Sequence, residues 1–134
     1  MSTSLTTVEL DANLSVADTL RRFQECPFLL MLDSAGHIRE QDARYTFLTA
    51  DPVETVRLDR PEYGSDPFVA VRKWQRRLPK VDGDHPPFCG GIAGMMSYEL
   101  GGVFERVPVP DRDEFAIPAL LTGLFDWAIV WDHI

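Results

Sequence analysis

The 134 residues are 45% hydrophobic and 25% charged, with a formal net charge of −8, enough for one domain spanning 1–134 with a core of its own. The negative balance excludes nucleic acid and anionic membrane as natural partners, because phosphates attract clustered Lys and Arg. No apolar run approaches the ~18 residues a bilayer-spanning helix needs, and MSTSLTTVELDANLS lacks the basic-then-apolar layout of a secretory signal, so a cytoplasmic protein is expected.

In chain order, Thr6–Leu10 reads as a short strand. Ser15-Val16-Ala17-Asp18 resembles a capping box, and Val16, Leu20 and Phe23 then fall on one stripe of a helix that Pro27 stops. The run Pro27–Leu32 follows as a buried strand ending in the turn chemistry of Asp33-Ser34-Ala35-Gly36. After the polar His37–Asp42 segment, Tyr45–Thr49 alternates like a strand, with Val53–Leu58 as its hairpin partner beyond Asp51-Pro52. Asp66-Pro67 opens a second helix, with Phe68, Val71, Trp74 and Leu78 on one side and a solvated face of Arg72, Lys73, Arg76 and Arg77. Pro86–Pro108 then gathers five of the nine glycines between apolar residues, which suggests a core strand that another piece of backbone approaches closely. Tyr98–Phe104 reads as a short helix or turn, Pro108–Pro118 as a surface connection, and Ala119–Trp131 as one or two apolar strands. Strands mixed with isolated helices predict an α+β fold, with layered antiparallel sheets and packed helices. The chain stops at Trp131-Asp132-His133-Ile134 directly after an apolar strand, which reads as a cut rather than a frayed domain end.

The chemistry in these residues is sparse. Gly90-Gly91-Ile92-Ala93-Gly94 lacks the Lys-Ser/Thr of a phosphate loop and the spacing of a dinucleotide fingerprint, so a structural strand is the better reading. Cys26 and Cys89 have no metal-ligand spacing and read as reduced thiols. His37, His85 and His133 lie in loops or at the terminus. Asp33, Glu99 and Asp126 sit where a catalytic carboxylate could sit, yet local capping is the commoner use. No catalytic residue and no metal site is predicted. Leu32-Asp33-Ser34 and Arg44-Tyr45 bring polar groups to one edge of an apolar core, where an amino acid could bind. The alternative is an ordinary strand-to-turn transition with Arg44 paired to a nearby acid.

FLLMLDSAG, ARYTFLTADP, PFCGGIAGMMSYELGGVFERVP and GLFDWAIVWDH, in that order, resemble the N-terminal region of component I of the chorismate-aminating enzymes. The combination GGxxGxxxYxLxxxFExxP with a downstream GxxDWxxVxDH carries the resemblance, and Glu99–Gly102, Phe104-Glu105 and Asp126-Trp127 are more similar to the aminodeoxychorismate branch than to the anthranilate branch. The resemblance implies the N-terminal part of the α/β/β/α anthranilate synthase component I-like fold, without the C-terminal chorismate-binding domain. The full-length enzyme would aminate chorismate to 4-amino-4-deoxychorismate, for 4-aminobenzoate and folate. It would use Mg²⁺ bound outside this chain and ammonia from a glutamine amidotransferase subunit. The stretch alone would be inactive. The resemblance further implies an L-tryptophan site at Leu32, Ser34, Arg44 and Tyr45. Two other readings stand beside it: the same region of anthranilate synthase component I, with a feedback site, and a free-standing amino-acid-binding module.

Overall fold

The computed structural model describes residues 5–34, 43–81, 83–106, 108 and 112–134. Its first helix, α1 (Val16–Phe23), starts where Ser15 takes an extended backbone and its hydroxyl oxygen accepts the Asp18 amide at 3.0 Å. Asp18 reaches back to the Ser15 hydroxyl (2.8 Å) rather than to its amide, a variant of the expected capping box. Val16, Leu20 and Phe23 are all half-buried, as their spacing predicts, and Phe23 packs on Trp127 with ring centroids 5.5 Å apart. The helix ends four residues before Pro27. Thr6–Leu10 forms no strand; its side chains are exposed.

The strands are β1 (Leu30–Asp33), β2 (Tyr45–Thr49), β3 (Glu54–Leu58), β4 (Gly91–Met96), β5 (Leu120–Phe125) and β6 (Ile129–Asp132). They form two three-stranded sheets, ordered β1-β2-β6 and β3-β5-β4. The class is therefore α+β with small antiparallel sheets and few helices, as the element order predicts. Two further strand expectations are corrected. β1 is not buried: it lies at the edge of its sheet, and Met31, Leu32 and Asp33 are exposed. An apolar run cannot distinguish an edge from a centre. Nor is β3 the hairpin partner of β2; it pairs antiparallel with β5, from Glu54 opposite Leu124 to Leu58 opposite Leu120.

The chain packs as two units. The first holds α1, β1, β2, β6 and the loop 78–91. Its most buried residues lie on or just after β2: Leu48, Thr49 and Ala50 are fully enclosed and Thr46 is 2% exposed. The second holds β3, most of β4, β5 and α2 (Val69–Arg77), together with a 3-10 helix over Tyr98–Val103. Its core gathers Leu100, Val103, Ala119 and Leu120, with Val56, Leu58 and Phe68 packed around them. α2 begins two residues after Pro67, because Asp66 Oδ1 accepts the Phe68 amide and holds the entry as a turn. Trp74 is the buried residue of α2, and its indole N–H donates to Glu54 on β3 at 2.7 Å; Arg77 pairs with the same carboxylate.

β4 runs along β5 at the end of its sheet, and Gly94–Met96 are exposed rather than core. The expected close backbone approach is present. A β-carbon on Gly94 would lie 2.2 Å from the Leu121 carbonyl oxygen and 2.6 Å from Thr122 Cα. Beside this contact the Thr122 hydroxyl donates to the Ala93 carbonyl at 2.9 Å. Gly94→Ala is expected to destabilise the chain by at least about 2 kcal/mol in urea denaturation, since the obstacle is backbone and cannot rotate away. Gly64→Ala, at φ +80° with open space around it, should cost only about 1 kcal/mol of backbone strain.

Candidate functional site

Strand register decides which side chains of the first unit can meet. Leu32 stands opposite Phe47 and Asp33 opposite Thr46, while Tyr45 stands opposite Asp132 and Thr46 opposite Trp131. Directly opposed residues of an antiparallel ladder share a face. One face therefore carries Leu32, Tyr45, Phe47 and Asp132; the other carries Asp33, Thr46 and Trp131. Ser34 follows just beyond β1, on the Leu32 side by alternation. Leu32, Ser34, Arg44 and Tyr45 thus come together at one end of one sheet.

The Leu32 face is aromatic. Tyr45 and Phe47 stack with centroids 5.7 Å apart, and Phe88 from the loop meets Phe47 edge-on at 5.9 Å. The Arg44 guanidinium lies 4.8 Å over the Tyr45 ring. Its Nε and Nη2 donate to the two oxygens of Asp132 at 2.8 and 2.6 Å, a two-point fork. Arg44 is therefore paired to an acid, as the bland sequence reading anticipates. Two of the five guanidinium hydrogens go to that fork, and three remain for an acceptor. The fork holds the Asp132 carboxyl below the usual carboxylate range and pushes the guanidinium further up.

The opposite face carries a polar line centred on the buried Thr46. Thr46 Oγ1 donates its single hydrogen to Asp33 at 2.9 Å, so at the 2.8 Å contact with His133 Nε2 it accepts. His133 consequently carries a hydrogen on Nε2. Trp131 on this face donates its indole N–H to the Leu14 carbonyl at 2.8 Å. Asp132, His133 and Phe88 are the residues that sequence reasoning missed. Arg44 and Asp132 are 88 positions apart, and no local pattern announces such a pair.

Elsewhere the structure offers less. Cys89 donates its thiol to the Pro86 carbonyl (3.2 Å), and burial pushes the thiol up, the reverse of nucleophile activation. His37 lies outside the described residues, and Asp126 is exposed. Among the described residues no group of three or more His, Cys, Asp or Glu is placed to hold a metal ion. A cleft of about 260 Å³ in the second unit is lined by Arg57, Asp59, Arg60, Asp113, Ala116 and Ile117. None of the sequence-predicted site residues lines it.

The fork has a testable pH signature. A carboxyl held low in the folded state adds stability above its unfolded pKa and loses it as pH falls through the folded value. Asp132→Asn should lower stability at neutral pH and flatten the loss on acidification, measured by denaturation midpoints across the acid range. An unchanged acid limb would show that the fork contributes nothing.

No family model matches the chain. Aminodeoxychorismate synthase component 1 of Salmonella typhimurium is 31% identical over 120 residues, covering 80% of this chain and 26% of the relative. The protein of the same name from Escherichia coli is 26% identical over 125 residues, 84% of this chain and 27% of the relative. Anthranilate synthase component 1 of Thermus thermophilus is 30% identical over 131 residues, 92% of this chain and 28% of the relative. The chain spans about a quarter of the length of these curated relatives. Among the described residues no helix is long and apolar enough to cross a membrane. Similarity to component 1 chains of both names extends over most of the sequence, and this chain belongs to their chorismate-binding enzyme family.

Proposed function

We propose that this chain is the N-terminal segment of an aminodeoxychorismate synthase component I, serving as scaffold and as an amino-acid-binding region. The observation that carries the reading is the match to aminodeoxychorismate synthase component 1 chains over most of this sequence but only about a quarter of theirs. In this reading the full-length protein aminates chorismate to 4-amino-4-deoxychorismate, with ammonia from a glutamine amidotransferase subunit. Mg²⁺ and the chorismate site belong to residues outside this chain. The described residues hold no carboxylate cluster fit for Mg²⁺. Anthranilate synthase component I is the second reading, favoured by the Thermus thermophilus relative. The full-length product separates the two: anthranilate with pyruvate would replace the aminodeoxychorismate assignment. The purified 134-residue chain, given chorismate and ammonia, is expected to yield no product, and turnover would overturn the segment reading.

The amino-acid site we propose is the Leu32, Ser34, Arg44 and Tyr45 end of the first sheet, with L-tryptophan as its ligand. Three guanidinium hydrogens of Arg44 suit the ligand carboxylate, and the Tyr45–Phe47 surface suits an aromatic side chain. Calorimetric titration with L-tryptophan should give saturable binding that Arg44→Ala and Tyr45→Ala each weaken by about tenfold or more. Saturable binding left unchanged by both substitutions would move the ligand elsewhere. It would also favour a free-standing binding module with a different pocket.

A further inference from the structure

Both ring nitrogens of His85 face backbone carbonyl oxygens: Nδ1 lies 2.9 Å from the Pro86 oxygen and Nε2 lies 3.2 Å from the Val81 oxygen. A carbonyl can only accept, and a neutral imidazole carries one N–H. The neutral ring therefore points one lone pair at a carbonyl lone pair, whichever tautomer it takes. The imidazolium satisfies both carbonyls at once. Among the described residues, two other titratable groups face the ring. The Asp84 carboxylate favours the cation, and the Cys89 sulfur, 4.0 Å from Nδ1, keeps its proton and spends it on the Pro86 oxygen. Asp82 lies outside the described residues.

This turn belongs to the same unit as the proposed amino-acid site and is joined to it twice. Phe88 sits edge-on against Phe47, which stacks on Tyr45. The negative charge of Asp84 acts on the Arg44 guanidinium. The far end of the loop is anchored at Gly90, where a β-carbon would come within 3.0 Å of the Phe125 carbonyl oxygen. Phe88 therefore lies three residues after His85 and two before the Gly90 contact.

We propose that His85 is a proton-operated clasp: as an imidazolium it bridges the Val81 and Pro86 carbonyls and holds Phe88 against the aromatic row of the amino-acid face, tightening that site on the acid side of its titration. The regulation rests on the amino-acid site proposed above; the clasp rests on the ring geometry alone. The two carbonyls, Pro86 first, raise the histidine above its ordinary value. The clasp is therefore fully engaged below the unfolded pKa and is lost as pH rises through the folded one.

The test has two arms. In the ligand-free chain, NMR should show His85 titrating at higher pH than the same residue in a peptide of residues 78–91. Ring signals of Phe88 and Tyr45 should move with the same midpoint. A midpoint at or below that of the peptide, or stationary Phe88 and Tyr45 signals, overturns the clasp. In the second arm, L-tryptophan affinity is measured at about pH 5.5 and about pH 8. The chain should bind about threefold more tightly at the lower pH, and His85→Gln, which cannot titrate, should lose that difference. The Gln variant also separates His85 from His37 and His133, the other histidines of the chain. Equal affinity at both pH values, or a difference that survives in His85→Gln, overturns the regulation. Absence of binding at either pH sinks the tryptophan site, and the ligand-free arm then decides the clasp by itself.

Discussion

The backbone of Tyr45–Thr49 must find hydrogen-bonding partners along both of its edges, and the organisation of the first unit follows from that requirement. β2 is its central strand and its most deeply enclosed one. An unsatisfied amide or carbonyl in so buried a strand costs as much as a lost hydrogen bond. β1 supplies one edge from nearby in the sequence. The other edge is supplied by β6, with Leu48 opposite Ile129 and Tyr45 opposite Asp132. Because the register is fixed residue by residue, so are the faces. The Arg44–Asp132 fork and the Thr46–His133 contact follow from the pairing with β6, and the Asp33–Thr46 hydrogen bond from the pairing with β1.

Function follows the division between faces. One side of the sheet is closed by local chemistry, with Trp131 tied to the Leu14 carbonyl and Thr46 spending its hydroxyl on Asp33. The other side presents Tyr45, Phe47 and a partly spent guanidinium, with Leu32 still 42% exposed. A carboxylate beside Arg44 stabilises the fold and at the same time competes with any anionic ligand for the same hydrogens. That competition sets the character of the site. It favours a ligand that brings aromatic surface as well as charge.

What the sequence made legible was local. The Ser15 cap and the Val16–Leu20–Phe23 stripe specify α1 because a helix is decided by residues within a turn or two of each other. β2 was legible as a strand for the same kind of reason. Partnership was not legible. The alternation of Val53–Leu58 marks a strand without naming its neighbour, and the short break at Asp51-Pro52 pointed to β2 when the partner is β5. At the candidate site, Leu32, Ser34, Arg44 and Tyr45 were read from two adjacent strands and a family likeness. Asp132 and Phe88 stayed hidden because each reaches the site through tertiary pairing alone. Gly94 lies between these cases: its composition signalled a close approach, and only the structure identified Leu121 and Thr122 as what it approaches.

The pairing of β2 with β6 also has a consequence for synthesis. When the ribosome has finished β2, β1 is already available, so one edge can zip at once. About eighty residues separate Thr49 from Ile129, and at roughly 5–20 residues per second the other edge stays bare for several seconds or more. During that interval a two-stranded ribbon rich in Leu, Phe and Thr presents unpaired amides beside neighbouring nascent chains. Polysomes place identical ribbons close together, and a bare edge accepts a copy of itself as readily as its own β6. Yield in a foreign host should therefore depend on how quickly the stretch between Ala50 and Ala128 is translated, and on whether a chaperone occupies the ribbon meanwhile.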